Sequence, residues 1–319
     1  MTTSQTHIPV MLQEVVEALA PREGGIYIDG TFGRGGYSRA ILDCAKTNVI
    51  GIDRDPDAIA TGQEMVAAFA PRLTLLQGTF GAMKEMMAGQ NIMAVDGVTL
   101  DLGVSSPQLD EAERGFSFQA DGPLDMRMSR DGPTAADLVN ETSESELATI
   151  IYTYGDERFS RRVAKRIVEA RKEKTITRTT QLAALVRDVV PRSKDGVDPA
   201  TRTFQALRIA VNDEMGELER GLAAAEQLLK PQGRLAIVSF HSLEDRCVKE
   251  FLRSRSSTAP RASRHEPTNE KTVEPTFLLR SRKPQSPSAA EIDANPRSRS
   301  ARLRIAERTA ISIPTENAA

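Results

Sequence analysis

The run IYIDGTFGRGGYS, residues 26–38, decides how the rest of the chain is read. An apolar stretch ends at Asp29, and Gly30, Gly33, Gly35 and Gly36 follow within seven residues. Glycines this dense let a backbone turn sharply and approach a ligand closely. A strand that runs through such a turn into a helix N-terminus points unpaired N–H groups outward, which favours polar or anionic ligand groups. The loop is not a Walker A motif, because no Gly-Lys-Ser/Thr follows, and its G-x-x-G-x-G-G spacing departs from G-x-G-x-x-G.

Outward from this loop the pattern is α/β. NVIGID reads as a second strand, ending at Asp53, with a helix over 37–44 between the two; LTLLQG and VDGVTLDLG read as further strands, the latter ending at Asp101. Alternating strands and helices imply a parallel sheet. Asp53 lies 17 residues past Gly36, where a carboxylate at a strand tip can accept bonds from both hydroxyls of an adenosine ribose. Loop and acid together point to a nucleoside cofactor, NAD or S-adenosylmethionine, without choosing between them.

The alternation then breaks. Residues 105–133 read as loop, and from about 134 to 229 only helical spacing is found, including a capping box at Ser143 to Glu146. TRTFQALRIAVNDEMGELERGLAAAEQLLKPQG reads as one amphipathic helix stopped by Pro231 and Gly233. Strand signals resume with RLAIVSF and ARLRIAER. The expected architecture is an α/β core of residues 1–108 and 218–319 interrupted by a helical insertion over 109–217. The Ser-, Pro- and Arg-rich stretch 254–300 reads as a long flexible loop.

The chain has 319 residues, more than one core usually holds, and a net charge of −2. That balance hides an asymmetry: residues 1–157 carry 24 acidic and 10 basic side chains, the remainder 20 and 32. A concentrated basic half fits a polyanionic partner, or two solvated faces of opposite sign. Between Arg158 and Arg178 lie nine basic and two acidic residues. Phe159, Val163, Ile167 and Val168 make an apolar stripe there, while Arg158, Arg161, Arg162, Lys165 and Arg166 project mostly elsewhere, a cationic face suited to an RNA backbone. No apolar run is long enough to span a membrane. The N-terminus lacks the pattern of a secretory signal. Cys44 and Cys247 are far apart, so neither a disulfide nor a metal site is expected, and a reducing cytoplasm fits.

The choice of cofactor comes from LDLGVSSPQLDEAERGFSF, residues 100–118. An acid at a strand end followed by small polar residues and a proline resembles the substrate-side motif of amino-group methyltransferases. HIPVMLQEVVEAL, YIDGTFGRGGYS, IDRDPDAI, DGPLDMRM, YGDERFSRRVAKRIVEAR, PATRTFQALRI, RLAIVSFHSLEDR and NPRSRSARLRIAER extend the match from His7 to about Arg308. Together they closely resemble the small-subunit ribosomal RNA cytosine-N4 methyltransferase family (RsmH, formerly MraW).

The resemblance implies a class I, Rossmann-like methyltransferase sheet with a helical insertion. It implies S-adenosylmethionine as cofactor and N4 of one cytidine in the decoding region of 16S ribosomal RNA as acceptor. The partner would be that RNA within the small ribosomal subunit, and a homodimer is implied as well. Cofactor contacts carry over to Gly33, Gly35, Gly36 and Tyr37 in the loop, Asp53 at the ribose, and Phe80, Asp101 and Gln108 around the remainder. Tyr37 and Asp198 each stand where a histidine is common in the family. A carboxylate at 198 would repel phosphate, so no direct phosphate contact is expected there.

The implied chemistry needs an acceptor on the cytosine N4 hydrogens. Asp101, Ser105 and Ser106 are the best placed by sequence order. His241 in SFHSLEDR is either a proton acceptor near neutral pH or a structural histidine bonded to backbone. Phe116 and Phe118 could stack on an unstacked base or serve as packing. Two other classes compete. An NAD-dependent oxidoreductase lacks a recognisable acid–base pair, and a non-catalytic ribosome assembly factor is disfavoured by the intact loop, Asp53 and Asp101.

Overall fold

In a computed structural model the chain is described over residues 9–192, 196–256 and 274–311. It divides into two units, residues 1–103 with 216–319, and residues 104–215.

The first unit opens with α1 (Leu12–Leu19), β1 (Ile26–Asp29), α2 (Gly36–Cys44), β2 (Asn48–Asp53), α3 (Pro56–Phe69), β3 (Leu73–Gln77), α4 (Met83–Gly89) and β4 (Val95–Asp101). The second unit contributes α5 (Ser106–Asp110), α6 (Ala135–Glu141), α7 (Glu144–Gly155), α8 (Ser160–Glu173), α9 (Thr179–Arg187) and α10 (Ala200–Asn212). The chain returns through α11 (Glu214–Leu228) to β5 (Leu229–Ser239), α12 (Ser242–Ser254), β6 (Phe277–Leu279), α13 (Ala289–Ala294) and β7 (Arg302–Arg308).

The seven strands form one sheet in the order β3-β2-β1-β4-β5-β7-β6. The first five pair in parallel, while β7 runs antiparallel to both β5 and β6. Six of the seven residues of β4 are buried, as a central strand covered on both faces requires. Ile28, Ile52, Val98, Leu100, Leu235 and Val238 are buried completely, each gaining roughly 1.5–3 kcal/mol from leaving water. The order reverses between β1 and β4, so the crevice outside their carboxyl ends is the binding position such a sheet provides.

The helical unit has a core of its own. Leu147 and Ile151 of α7, Val163, Ala164 and Ile167 of α8, Leu182 and Val186 of α9, and Leu207 of α10 are fully buried in it. Of the expected Ser143 capping box the N-cap half opens α7, with the Ser143 hydroxyl accepting from the Glu146 N–H at 3.3 Å.

Three expectations change. The long helix after Thr201 is two helices, α10 and α11, because Asp213 adopts a left-handed φ of 48°. The buried Asn212 side chain accepts from the Met128 N–H at 2.8 Å and donates to Met126 O at 2.7 Å, which satisfies loop backbone and fixes the break. The unit boundaries fall at 103/104 and 215/216, so Ser105 to Gln108 lie in the helical unit, not in the first part of the core. The stretch expected as a flexible loop over 254–300 holds β6, α13 and a 3-10 turn over Pro296–Ser300 in its described part, residues 274–300; residues 257–273 of that expectation, and His7, lie outside the described residues. Among the described residues no helix is long and apolar enough to cross a membrane.

Candidate active site

The glycine loop is sewn to the strands on both sides of it. Gly30 N–H donates to Thr99 O of β4 at 2.9 Å and Phe32 N–H donates to Ile52 O of β2 at 2.9 Å. The Thr31 hydroxyl accepts from the Asp101 N–H at 2.7 Å. Asp53 closes the far side, with one carboxylate oxygen accepting from the Gly33 N–H at 2.7 Å and the other from the Asp55 N–H at 2.8 Å. Gly35 caps α2 with φ 72°, and a Cβ there would lie 2.7 Å from the Phe32 ring. Gly36 packs directly on the Pro9 ring, where a Cβ would overlap it. These two positions therefore exclude larger residues, for reasons of space at both and of φ at Gly35.

Three carboxyl groups gather beneath the loop. Asp29 is buried and accepts from the Ser38 hydroxyl at 2.7 Å and the Ser38 N–H at 3.2 Å, fastening the first turn of α2 to the end of β1. Burial pushes its carboxyl up to about 6. Asp101 is driven well above the usual carboxylate range by burial, then by Asp29 and Glu244. One of its oxygens is buried with no hydrogen-bond partner among the described residues. Asp53 is also raised, chiefly by burial, against the two N–H groups it accepts. Sequence reasoning noted Asp29 only as the end of a strand; the Ser38 partner nine residues on is the signal for its structural work.

The remaining expected residues divide by unit. The Tyr37 ring is buried, and its hydroxyl donates to Val10 O at 2.5 Å, so its side chain secures the segment before α1. Phe80, in a 3-10 turn after β3, packs on Gly221 of α11 and near Gly30. His241 caps α12: its Nδ1 accepts from the Glu244 N–H at 3.3 Å, and its Nε2 lies 3.1 Å from a Glu244 carboxylate oxygen. Nδ1 therefore caps the helix, while Nε2 is buried without a hydrogen-bond partner among the described residues. In the helical unit Ser105 caps α5 and Gln108 closes the capping box, its amide oxygen accepting from the Ser105 N–H at 3.0 Å. Ser106 is the first residue of that helix.

Also in the helical unit, α8 buries Val163, Ala164 and Ile167 and leaves Arg161, Arg162 and Lys165 exposed, as is Arg158 just before it. Arg166 is half-buried and pairs with Asp188 at 3.1 Å. Arg162 lies over the Phe159 ring, 5.3 Å from its centroid, and Lys165 is 3.9 Å from Glu169. Phe116 is buried in the helical core and Phe118 stacks edge-on against Phe204, 4.7 Å between centroids, so packing accounts for both. Asp198 receives a two-pronged Arg187 guanidinium and the Ala200 N–H, which hold its carboxyl below the usual range.

The cradle suits a group that is cationic at one end and carries a vicinal diol at the other. It offers a buried, unpartnered carboxyl oxygen at Asp101, a strand-tip carboxylate at Asp53, and open space beside the backbone at Gly33, where the nearest atom to a Cβ would be Thr31 O at 3.8 Å. With the strand order and the antiparallel β7, this defines a Rossmann-like, S-adenosylmethionine-dependent methyltransferase. More narrowly, the chain belongs to the MraW methylase family, which matches residues 4–309. It is 62% identical over 303 residues to the ribosomal RNA small subunit methyltransferase H of Rhodospirillum centenum, covering 95% of this chain and 92% of that one. It is 61% identical over 307 residues to the protein of the same name from Paramagnetospirillum magneticum, covering 96% of each. The Methylobacterium nodulans protein of that name is 58% identical over 317 residues, covering 98% and 94%.

Proposed function

We propose that the chain transfers a methyl group from S-adenosylmethionine to N4 of a cytidine in the decoding region of 16S ribosomal RNA, held within the small ribosomal subunit. The observation that carries the reading is the shared carboxyl edge of β1, β2 and β4, where the glycine loop, Asp53 and the unpartnered oxygen of Asp101 meet.

When bound, S-adenosylmethionine supplies a sulfonium methyl that is already a strong electrophile. Asp53 would hold the ribose hydroxyls through the lone pairs that Gly33 and Asp55 leave open. Gly33, Gly35, Gly36 and Tyr37 would offer backbone to the cofactor, with Phe80 and Gln108 completing its contacts. Asp101, as carboxylate, would face positive charge and recover in attraction what burial costs it.

The nucleophile is the harder half of the reaction. The N4 lone pair of cytosine is delocalised into the ring, and an acceptor on the N4 hydrogens localises it and takes the proton lost after transfer. Asp101, Ser105 and Ser106 are the groups assigned to that task. The amine must be held about 3–3.5 Å from the methyl carbon and in line with sulfur. Its base must first leave the RNA stack, at a cost of a few kcal/mol. The exposed cations of Arg158, Arg161, Arg162 and Lys165, with the half-buried Arg166 that pairs with Asp188, are assigned to the RNA backbone. His241, oriented by the cap it makes with Glu244, is assigned as a further proton acceptor through its unbonded Nε2.

Labelled S-adenosylmethionine offered with unmodified small subunits and, in parallel, naked ribosomal RNA tests this directly. N4-methylated cytidine at one site supports it. Tight cofactor binding with no transfer to either acceptor removes the RNA assignment while leaving the methyltransferase.

A further inference from the structure

The segment from Arg280 to Arg302 carries six basic and two acidic residues, and its described elements are fixed to the first unit. β7 begins at Arg302, which pairs with Ser239 at the end of β5; Asp101, at the end of β4, pairs with the neighbouring Val238. Arg302 therefore stands on the same carboxyl edge of the sheet as Asp101. It lies two strands away, about 10 Å at the usual strand spacing.

Two turns deliver further cations to this edge. The 3-10 turn over Pro296–Ser300 leads straight into β7. Its Ser298 is fully buried and donates to Asn295 O at 2.8 Å, which leaves Arg297 and Arg299 on either side exposed. A second turn is tied by the Ser281 hydroxyl, which accepts from the Lys283 N–H at 3.2 Å and donates to Lys283 O at 2.8 Å. Arg280 N–H donates to Ile305 O at 3.4 Å and Gln285 bridges to Leu303, so exposed Arg282 and Lys283 sit in the turn between them, alongside the first half of β7 and two to three residues along it from Arg302.

The acids of the segment do not neutralise this. Glu291 of α13 accepts from the Met11 N–H at 2.6 Å, beside the Pro9 that packs on Gly36 of the cofactor loop. Asp293 is exposed. Arg280 is matched by Glu307 at 2.8 Å. Arg282, Lys283, Arg299 and Arg302 have no ion pair among the described residues.

We propose that Arg282, Lys283, Arg299 and Arg302 form a cationic ledge that grips phosphates of the single-stranded RNA flanking the base presented at the Asp101 edge. This rests on the RNA-methylation reading above and adds to it a second contact surface, on the methyltransferase unit itself. A base drawn to that edge brings its own flanking phosphates with it. A ledge of cations free of internal carboxylates is what would hold them in register.

The test uses the full chain with Arg282→Ala, Lys283→Ala and Arg299→Ala combined, and Arg282→Lys with Arg299→Lys as the charge-keeping control. Methyl transfer to a naked RNA fragment spanning the target and the affinity for that fragment are followed against salt, with S-adenosylhomocysteine affinity and melting temperature alongside. The expected result is a KM for RNA at least ten-fold higher and a log–log salt slope shallower by about 2, at roughly 0.7 per single-strand phosphate contact. S-adenosylhomocysteine affinity and melting temperature stay at parent values, and the lysine control keeps parent KM. Parent KM and salt slope in the alanine variant, while the parent enzyme methylates the same fragment, overturn the ledge. So does a loss seen only with assembled subunits, which would make the occupant a ribosomal protein. A parent that methylates no RNA in either form overturns the reading beneath and the ledge with it.

Discussion

Asp53 reaches back 20 residues to accept the Gly33 N–H at 2.7 Å, so the acid expected to bind ribose also sets the shape of the glycine loop. One carboxylate does two jobs because it has lone pairs on both oxygens, and the Gly33 and Asp55 N–H groups occupy only part of them.

Replacing Asp53 with Asn keeps the size and removes the charge. Charge-assisted bonds contribute about 1.5–3 kcal/mol each, and two ribose hydroxyls are at stake. The expected loss of S-adenosylhomocysteine affinity by calorimetry is at least ~30-fold, equivalent to about 2 kcal/mol. An affinity within a factor of three of the parent would remove Asp53 from the ribose site.

The loop and its acid were legible because both are local signals: glycine spacing after an apolar run, and an acid at the next strand's tip. The insertion was legible as a change of period from strand alternation to helical spacing. What sequence left out depends on distant partners. The break between α10 and α11 comes from Asn212 bonding the backbone at Met126 and Met128, more than eighty residues earlier. A run of Ser, Pro and Arg looked unstructured around 274–300 because few of its residues are apolar. The order there comes from Phe277, Ser298 and Ala301, each fully buried, and from pairing with β7. The assignment of Ser105 and Gln108 to the helical unit follows from packing that no local pattern encodes.

Asp29 gives the fold a pH dependence. Its carboxyl sits near 6 when folded, against about 3.9 in an unfolded chain. The folded state therefore holds the proton more tightly. The contribution is fully present below about pH 4 and is lost as pH rises through about 6, roughly 3 kcal/mol in all. Asp29→Asn cannot lose a proton, so denaturant midpoints of parent and variant should diverge between pH 4 and pH 7, with the variant gaining. Parallel curves over that range would mean that Asp29 is not titrating in the fold.

Asp101 should make cofactor binding release a proton. Burial, Asp29 and Glu244 all favour its neutral form in the free protein, and a neighbouring sulfonium favours the carboxylate. S-adenosylmethionine affinity should then rise with pH and S-adenosylhomocysteine affinity much less, since its sulfur is uncharged. Calorimetry in buffers of different ionisation enthalpy reads the proton count directly. In Asp101→Asn the difference between the two ligands' pH profiles should vanish. If it persists, the proton comes from another group.

The exposed face of α8 should govern RNA affinity separately from the cofactor. Arg161, Arg162 and Lys165 project into solvent while Val163, Ala164 and Ile167 on the opposite face are fully buried, so charge can be changed without opening the core. Arg161→Glu, Arg162→Glu and Lys165→Glu together should raise the KM for RNA by ten-fold or more and flatten its salt dependence, because each lost phosphate contact removes a released counterion. Melting temperature should move little, since the lost Lys165–Glu169 pair and the contact of Arg162 with the Phe159 ring are at the surface and worth about 1 kcal/mol or less each. The affinity for S-adenosylhomocysteine should be that of the parent. Equal losses for RNA and cofactor would point instead to a damaged fold, and unchanged RNA affinity would leave the basic stripe as a solvated surface with no part in recognition.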